Sequence, residues 1–176
     1  MQDNEVINIL QKQYNFSSKN ISELKILKNL LLKANNRHNF ISKSTEPNIW
    51  HRHILDSAQL IKFIDFSSGS LSDLGSGAGF PGLILALFNT NKDFHVKLYE
   101  KSPVKRAFLE DVCNKLSIKA QIYGNIYEEV INSDYIVARA FKKLEAIIQV
   151  SREIAKKSHK LIILKGQNAQ KDLEKA

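Results

Sequence analysis

The 176 residues, 43% of them hydrophobic, suffice for one well-cored domain and are too few for two large ones. A single cysteine excludes an internal disulfide framework, no Cys/His cluster has zinc spacing, and no apolar run approaches the roughly 20 residues that a bilayer requires. The formal charge of +8 favours an anionic partner such as nucleic acid, but lysines that only solvate helix faces produce the same balance.

The opening Met1-Gln2-Asp3-Asn4-Glu5 has neither the basic start nor the apolar core of a signal peptide, so a cytoplasmic protein is expected. Residues 3–13 and 21–34 read as two helices. In the second, Leu24, Leu27, Leu30 and Leu31 form an apolar stripe, with Asn20 or Ser22 as its cap. The polar stretch Asn35 to Asn39 ends that helix, and Ser42 to Pro47 is a turn-rich link. A helical pattern resumes from Asn48 to Phe63, with Ile49, His53, Leu60 and Phe63 on its inner face. His51 and His53 are two apart and diverge on a helix, which argues against a metal site, whereas Arg52, His53, Asp56 and Ser57 give it a polar face. Residues 1–47 therefore read as an N-terminal helical extension and 48–176 as the main globular unit.

Leu71 to Gly82 is the most informative stretch. Leu71 and Leu74 close a short apolar run, and Gly75, Gly77 and Gly79 then permit backbone conformations and close approaches that a Cβ would block. Pro81 falls where a helix would start, followed by the apolar Leu83 to Phe88. The third glycine comes one residue too early for the dinucleotide fingerprint, with Phe80 in its slot, and no Gly-Lys-Ser/Thr follows. Asp73, two residues before the first glycine, would repel a pyrophosphate and suits an amine-bearing ligand such as S-adenosyl-L-methionine. A second strand over 94–100 ends in Glu100, 21 residues past Gly79, where an acid can accept hydrogen bonds from both ribose hydroxyls of an adenosine.

Ser102-Pro103 opens a further helix whose first turns carry Lys105 and Arg106, on a face that either touches RNA phosphate or is solvated. Cys113 belongs to its apolar pattern Phe108, Leu109, Val112, Cys113, Leu116 and reads as core. Ala120 to Tyr123 is a third strand, and the loop after it lies over the adenine, which assigns adenine recognition to Ile126 and Tyr127 by position, with Glu128 if the register slips by one. Asp134 to Ala138 is a fourth strand. Arg139 emerges at its C-terminal end, placed to hold a cofactor carboxylate or a target phosphate. Leu144 to Ile154 is a helix, and Leu161 to Leu164 a fifth strand delivering Lys165-Gly166 to the same edge. Strands alternating with helices predict an α/β fold with a doubly wound, mostly parallel sheet.

Asp73-Leu74-Gly75-Ser76-Gly77-Ala78-Gly79-Phe80-Pro81-Gly82, preceded by Trp50-His51-Arg52-His53-Ile54-Leu55-Asp56-Ser57, resembles the small-subunit ribosomal RNA methyltransferase G family, formerly glucose-inhibited division protein B. Lys105-Arg106-x-Phe108-Leu109, Val137-Ala138-Arg139-Ala140 and Leu164-Lys165-Gly166 follow in the family's order, so the similarity runs from about Leu24 to the end. Two departures stand out: Ala34-Asn35 where the family usually has Trp-Asn, and Ile126-Tyr127 where it has a small apolar residue followed by Glu. The resemblance implies a class I, Rossmann-like methyltransferase fold, here without the antiparallel strand pair that normally follows the fifth strand. It also implies transfer of a methyl group from S-adenosylmethionine to guanine N7 of 16S rRNA near the decoding region. The expected cofactor residues are Asp73, Gly75, Gly77, Gly79, Phe80, Glu100, Ile126, Tyr127 and Arg139. Arg139, Lys165 and Arg52 are the expected catalytic residues, no metal is expected, and the protein is expected to act on the small ribosomal subunit as a monomer. A small-molecule methyltransferase and a non-catalytic RNA-binding or ribosome-assembly relative remain open at this point, with a nucleotide-dependent oxidoreductase last.

Overall fold

The computed structural model of the protein describes residues 2–139, 143–166 and 169–174. Ala140, the last residue of the Val137-Ala138-Arg139-Ala140 motif, lies outside the described residues.

Two amphipathic helices open the chain, α1 (Asp3–Tyr14) and α2 (Ser18–Asn35). Leu24, Leu27 and Leu31 of the predicted stripe are fully buried, and Leu30 packs at its margin. The cap of α2 is Ser17 rather than Asn20 or Ser22. Its Oγ accepts the Asn20 N–H at 3.1 Å, and the Asn20 side chain accepts the Ser17 N–H at 3.0 Å, so the two satisfy each other's orphan donors.

The stretch predicted as one helix over 48–63 changes pitch along its length. A tight turn over Lys43–Asn48 leads into a wide turn over Trp50–Leu55, one α-turn, α3 (Asp56–Ala58), and a second tight turn over Gln59–Phe63. The inner face expected of a regular helix holds for Ile49, His53 and Leu60, which are buried. It fails for Phe63, which is 53% exposed because the final tight turn rotates it away from the core.

The parallel sheet is built from β1 (Gly69–Leu74), β2 (Phe94–Tyr99), β3 (Ala120–Tyr123), β4 (Tyr135–Arg139) and β5 (Lys160–Leu164), in the order β3-β2-β1-β4-β5. Helices α4 (Gly82–Phe88), α5 (Pro103–Leu116) and α6 (Leu144–Ile154) connect them, and α7 (Ala169–Leu173) follows β5. Pro81 is the residue before α4 rather than its first. Alternation along β4 separates two apolar layers. Val137 faces a large core shared with α1, α2, α4 and α5, while Ile136 and Ala138 face a smaller one built on α6. Cys113 is buried in the larger core, and its burial pushes the thiol up to about 11. Among the described residues no strand follows β5, and no helix is long and apolar enough to cross a membrane. The chain turns back on its strand order between β1 and β4, the switch point outside which open α/β sheets bind ligands.

Candidate functional site

Strand β1 ends at Leu74, and the turn after it is fastened to the end of β2. Gly75 and Ser76 both donate their N–H to the Tyr99 carbonyl, at 2.9 and 3.0 Å. Gly77 donates to Glu100 Oε2 at 2.9 Å, and Ser102 donates to Glu100 Oε1 at 2.8 Å. Glu100 is thus buried with each carboxylate oxygen holding one backbone N–H, and each oxygen retains a second lone pair. Gly79 plays a different part. At its φ of +94° a Cβ would meet Leu83 Cδ1 at 2.2 Å, so it seats the loop on α4 and does not line the cavity. A Cβ on Gly82 would meet Asp73 Oδ2 at 2.6 Å, an approach that lets Asp73 Oδ2 accept the Gly82 N–H at 2.9 Å.

A cavity of about 500 Å³ opens above this loop. Gly75 to Ala78 and Phe80 line it, together with Tyr99 to Lys101 and Lys105, Asn125 to Tyr127, Arg139, and, from the N-terminal segments, Phe40, Ile41 and His53. Of the predicted cofactor residues, Gly75, Gly77, Phe80, Glu100, Ile126, Tyr127 and Arg139 therefore share one cavity, and Asp73 is buried next to the loop. Glu128 is exposed, bonded by the Asn125 amide at 3.3 Å, and does not line the cavity. Arg52 and Lys165 do not line it either. Arg52 is exposed beside His53, and Lys165 follows Leu164, the β5 partner of Arg139, at the same sheet edge. Lys105 reaches the cavity, whereas Arg106 turns back to the Glu100 and Lys101 carbonyls, at 2.9 and 2.8 Å.

Phe40 and Ile41 were not foreseen as cavity residues. Asn35 sets them: its Oδ1 accepts the Phe40 and Ile41 N–H groups at 2.8 and 3.0 Å, and its amide donates to the Ile41 carbonyl at 3.1 Å and to Glu46 at 2.6 Å. A signal did exist. Asn35 continues the stripe Leu24, Leu27, Leu31 by four residues, and a polar residue on an apolar face is a buried hydrogen-bonding group until shown otherwise. Asn35 makes these four contacts with Ala34, rather than the family's usual Trp, before it.

Two side-chain atoms in the site, Asp73 Oδ1 and Arg139 Nη1, are buried with no hydrogen-bond partner among the described residues. Burial pushes the Asp73 carboxyl up to about 7, against the opposing pull of the Gly82 N–H. Burial also lowers the Arg139 guanidinium from its ordinary range. Arg139 Nη2 bonds His53 Nδ1 at 2.5 Å, and the His53 ring stacks on Phe80 with centroids 5.1 Å apart. Burial first, then the Arg139 and Arg52 charges, push His53 down to about 4, so its imidazole is neutral. An acceptor and a cationic donor that lack partners can receive the ammonium and carboxylate of an α-amino acid, and a fixed carboxylate at Glu100 can receive vicinal hydroxyls. Among the described residues no group of three His, Cys, Asp or Glu side chains could hold a metal ion.

The family model described as rRNA small subunit methyltransferase G matches residues 20–176. A "Ribosomal RNA small subunit methyltransferase G" of Pelagibacter ubique is 37% identical over 171 residues, covering 94% of this chain and 80% of the relative. One from Rickettsia typhi is 38% identical over 157 residues, covering 89% and 80%. Among solved structures, a precorrin-6y C5,15-methyltransferase from Geobacter metallireducens superposes with a TM-score of 0.54 at 14% identity, over 78% of this chain and 70% of that one, a likeness of fold alone. The fold is that of the class I methyltransferases.

Proposed function

This chain belongs to the rRNA small subunit methyltransferase G family, and on that premise we propose that it transfers a methyl group from S-adenosyl-L-methionine to guanine N7 of 16S rRNA near the decoding region. The observation that carries the cofactor reading is the pair of buried acid and base atoms, Asp73 Oδ1 and Arg139 Nη1, that have no hydrogen-bond partner among the described residues. They match the ammonium and carboxylate of the methionine moiety. Glu100 accepts from the ribose hydroxyls, Gly75, Gly77 and Phe80 pack along the ligand, and Ile126 and Tyr127 cover the adenine. Gly79 acts one step back, by seating the loop. When bound, the cofactor supplies an electrophilic methyl group on a sulfonium.

Guanine N7 carries a lone pair and no proton, so the chain needs to supply position and a dry site rather than a general base. Arg139 and Lys165 stand at the C-terminal edge of β4 and β5, Arg52 lies near enough for its charge to act on Arg139, and cationic donors suit the O6 and N7 acceptors and the phosphates of a guanine nucleotide. Lys101 and Lys105 at the cavity and the overall charge of +8 suit an RNA approach. Action as a monomer in the cytoplasm completes the proposal.

The deciding experiment is transfer of tritiated methyl from S-adenosylmethionine to small ribosomal subunits, and to their naked rRNA, both lacking the modification, followed by mapping of the labelled base. Label at one guanine N7 is expected. Label on another atom or on free metabolites, or none from a protein that binds the cofactor, overturns the assigned reaction.

A further inference from the structure

We propose that His53 is a positioning residue for Arg139: an imidazole locked in one tautomer that takes one N–H of the guanidinium and leaves Nη1 to a ligand, with no carboxylate of the described residues bonded to the guanidinium. The inference rests on the cofactor reading above.

The direction of every hydrogen bond in this chain of groups is forced from both ends. A guanidinium only donates, so His53 Nδ1, 2.5 Å from Arg139 Nη2, must accept. The proton of the neutral ring is then on Nε2, which lies 3.1 Å from Thr45 Oγ1. The Thr45 hydroxyl spends its own hydrogen on the Ser42 carbonyl at 2.9 Å, so its oxygen is left to accept from Nε2. The ring is further held by its stack on Phe80, and the His53 carbonyl by Ser57 Oγ at 2.5 Å. Four stretches of sequence thus meet to fix one nitrogen lone pair.

The choice of an imidazole has a chemical reason. A carboxylate at this position would hold the guanidinium equally well and would also neutralise it. A neutral acceptor supplies the geometry without a bonded counter-charge, the nearby Asp56 and Asp73 carboxylates acting only through space, and Nη1, buried with no partner among the described residues, is the atom left to meet an incoming anion. The anion assigned here is the carboxylate of the cofactor's amino acid.

The experiment compares S-adenosylhomocysteine, which carries the amino-acid tail, with 5′-methylthioadenosine, which lacks it, by calorimetric titration of the full chain. His53→Asn keeps an acceptor near the Nδ1 position, whereas His53→Gln places its amide nearer the Nε2 position. The Gln variant is expected to weaken S-adenosylhomocysteine about 10- to 100-fold, the effect of losing a charge-assisted hydrogen bond, and 5′-methylthioadenosine less than about twofold. The Asn variant is expected to stay within about threefold of wild type for both. Equal losses in the two variants, or parallel losses for the two ligands, would mean a structural role only and overturn the proposal. Should either variant fail to fold, Thr45→Val removes the tautomer lock while His53 stays, and a loss of about 3- to 10-fold confined to S-adenosylhomocysteine is expected. Unchanged binding in that variant overturns the proposal too. Wild-type protein that binds neither ligand would instead refute the cofactor reading itself.

Discussion

Folding and binding make opposed demands on Asp73. Its carboxyl is buried and raised to about 7, so a folded-state charge there costs stability from the ordinary carboxylate range upward, and the loss grows as pH climbs to about 7. Asp73→Asn removes that burden. The ligand-free variant is expected to melt higher than wild type at pH 8 and to show a smaller gain at pH 5, where folded Asp73 is already neutral and only the unfolded carboxyl is ionised. On the proposed cofactor reading the same substitution removes the anion that would receive the ligand's ammonium, so the affinity for S-adenosylhomocysteine should fall by about tenfold or more. In the wild type, affinity should decline as pH falls below about 7, approaching tenfold per pH unit once Asp73 is mostly protonated. Flat affinity between pH 8 and pH 5.5 would remove Asp73 from the site. At this scale the sequence was readable where spacing along the chain encodes a role, as for Glu100 after the glycines. It was silent on the bond between His53 and Arg139, which joins residues 86 apart. No local pattern records a contact that exists only after the sheet and the N-terminal segment have packed.

Among the elements, the glycine turn was legible because its glycines are demanded by backbone geometry, and that demand is written residue by residue. The helical run before it was less so. Its changes of pitch break the link between sequence period and facing direction, which is why Phe63 lies outside while Ile49 and His53 lie inside. The last turn of α2 shows how one side chain shapes the cavity through backbone that it holds. Asn35→Ala strips the Phe40 and Ile41 N–H groups of their acceptor. Thermal or denaturant unfolding should show a loss of about 2 kcal/mol, and cofactor affinity should fall with it because Phe40 and Ile41 line the cavity. An unchanged affinity in the folded variant would mean that these two residues are bystanders.

Taken whole, the molecule packs the helical extension over residues 1–47 and the sheet around shared apolar residues. Val6, Leu10, Leu24, Leu27 and Leu31 belong to the same apolar cluster as Leu83, Leu98 and Val137. The expected behaviour is one cooperative transition. Trp50, the single tryptophan, is 3% exposed in that cluster, so its fluorescence reports the tertiary core while far-UV dichroism reports the helices. The two curves should coincide, and Leu24→Ala should shift both together by about 2–5 kcal/mol. Separate midpoints would show an extension that folds by itself. Strand alternation with helices made the sheet and its parallel sense readable, since each connection is local in sequence. The burial of the first two helices against the sheet was not, because an amphipathic stripe announces that it needs a partner without saying which.

The contribution of Phe40, Ile41 and Thr45 to the cavity and to His53 bears on how this protein can be recombined. The sheet and its glycine turn look like an interchangeable nucleotide module, but the pocket is inherited in two pieces. A chimera that exchanged residues 1–47 with those of a distant relative would receive a foreign wall and a foreign lock for the imidazole, and would change ligand preference without altering a single glycine of the loop. Crossovers preserve the pocket only when they keep Asn35 to Phe80 in one parental block together with the later wall residues Glu100, Ile126, Tyr127 and Arg139.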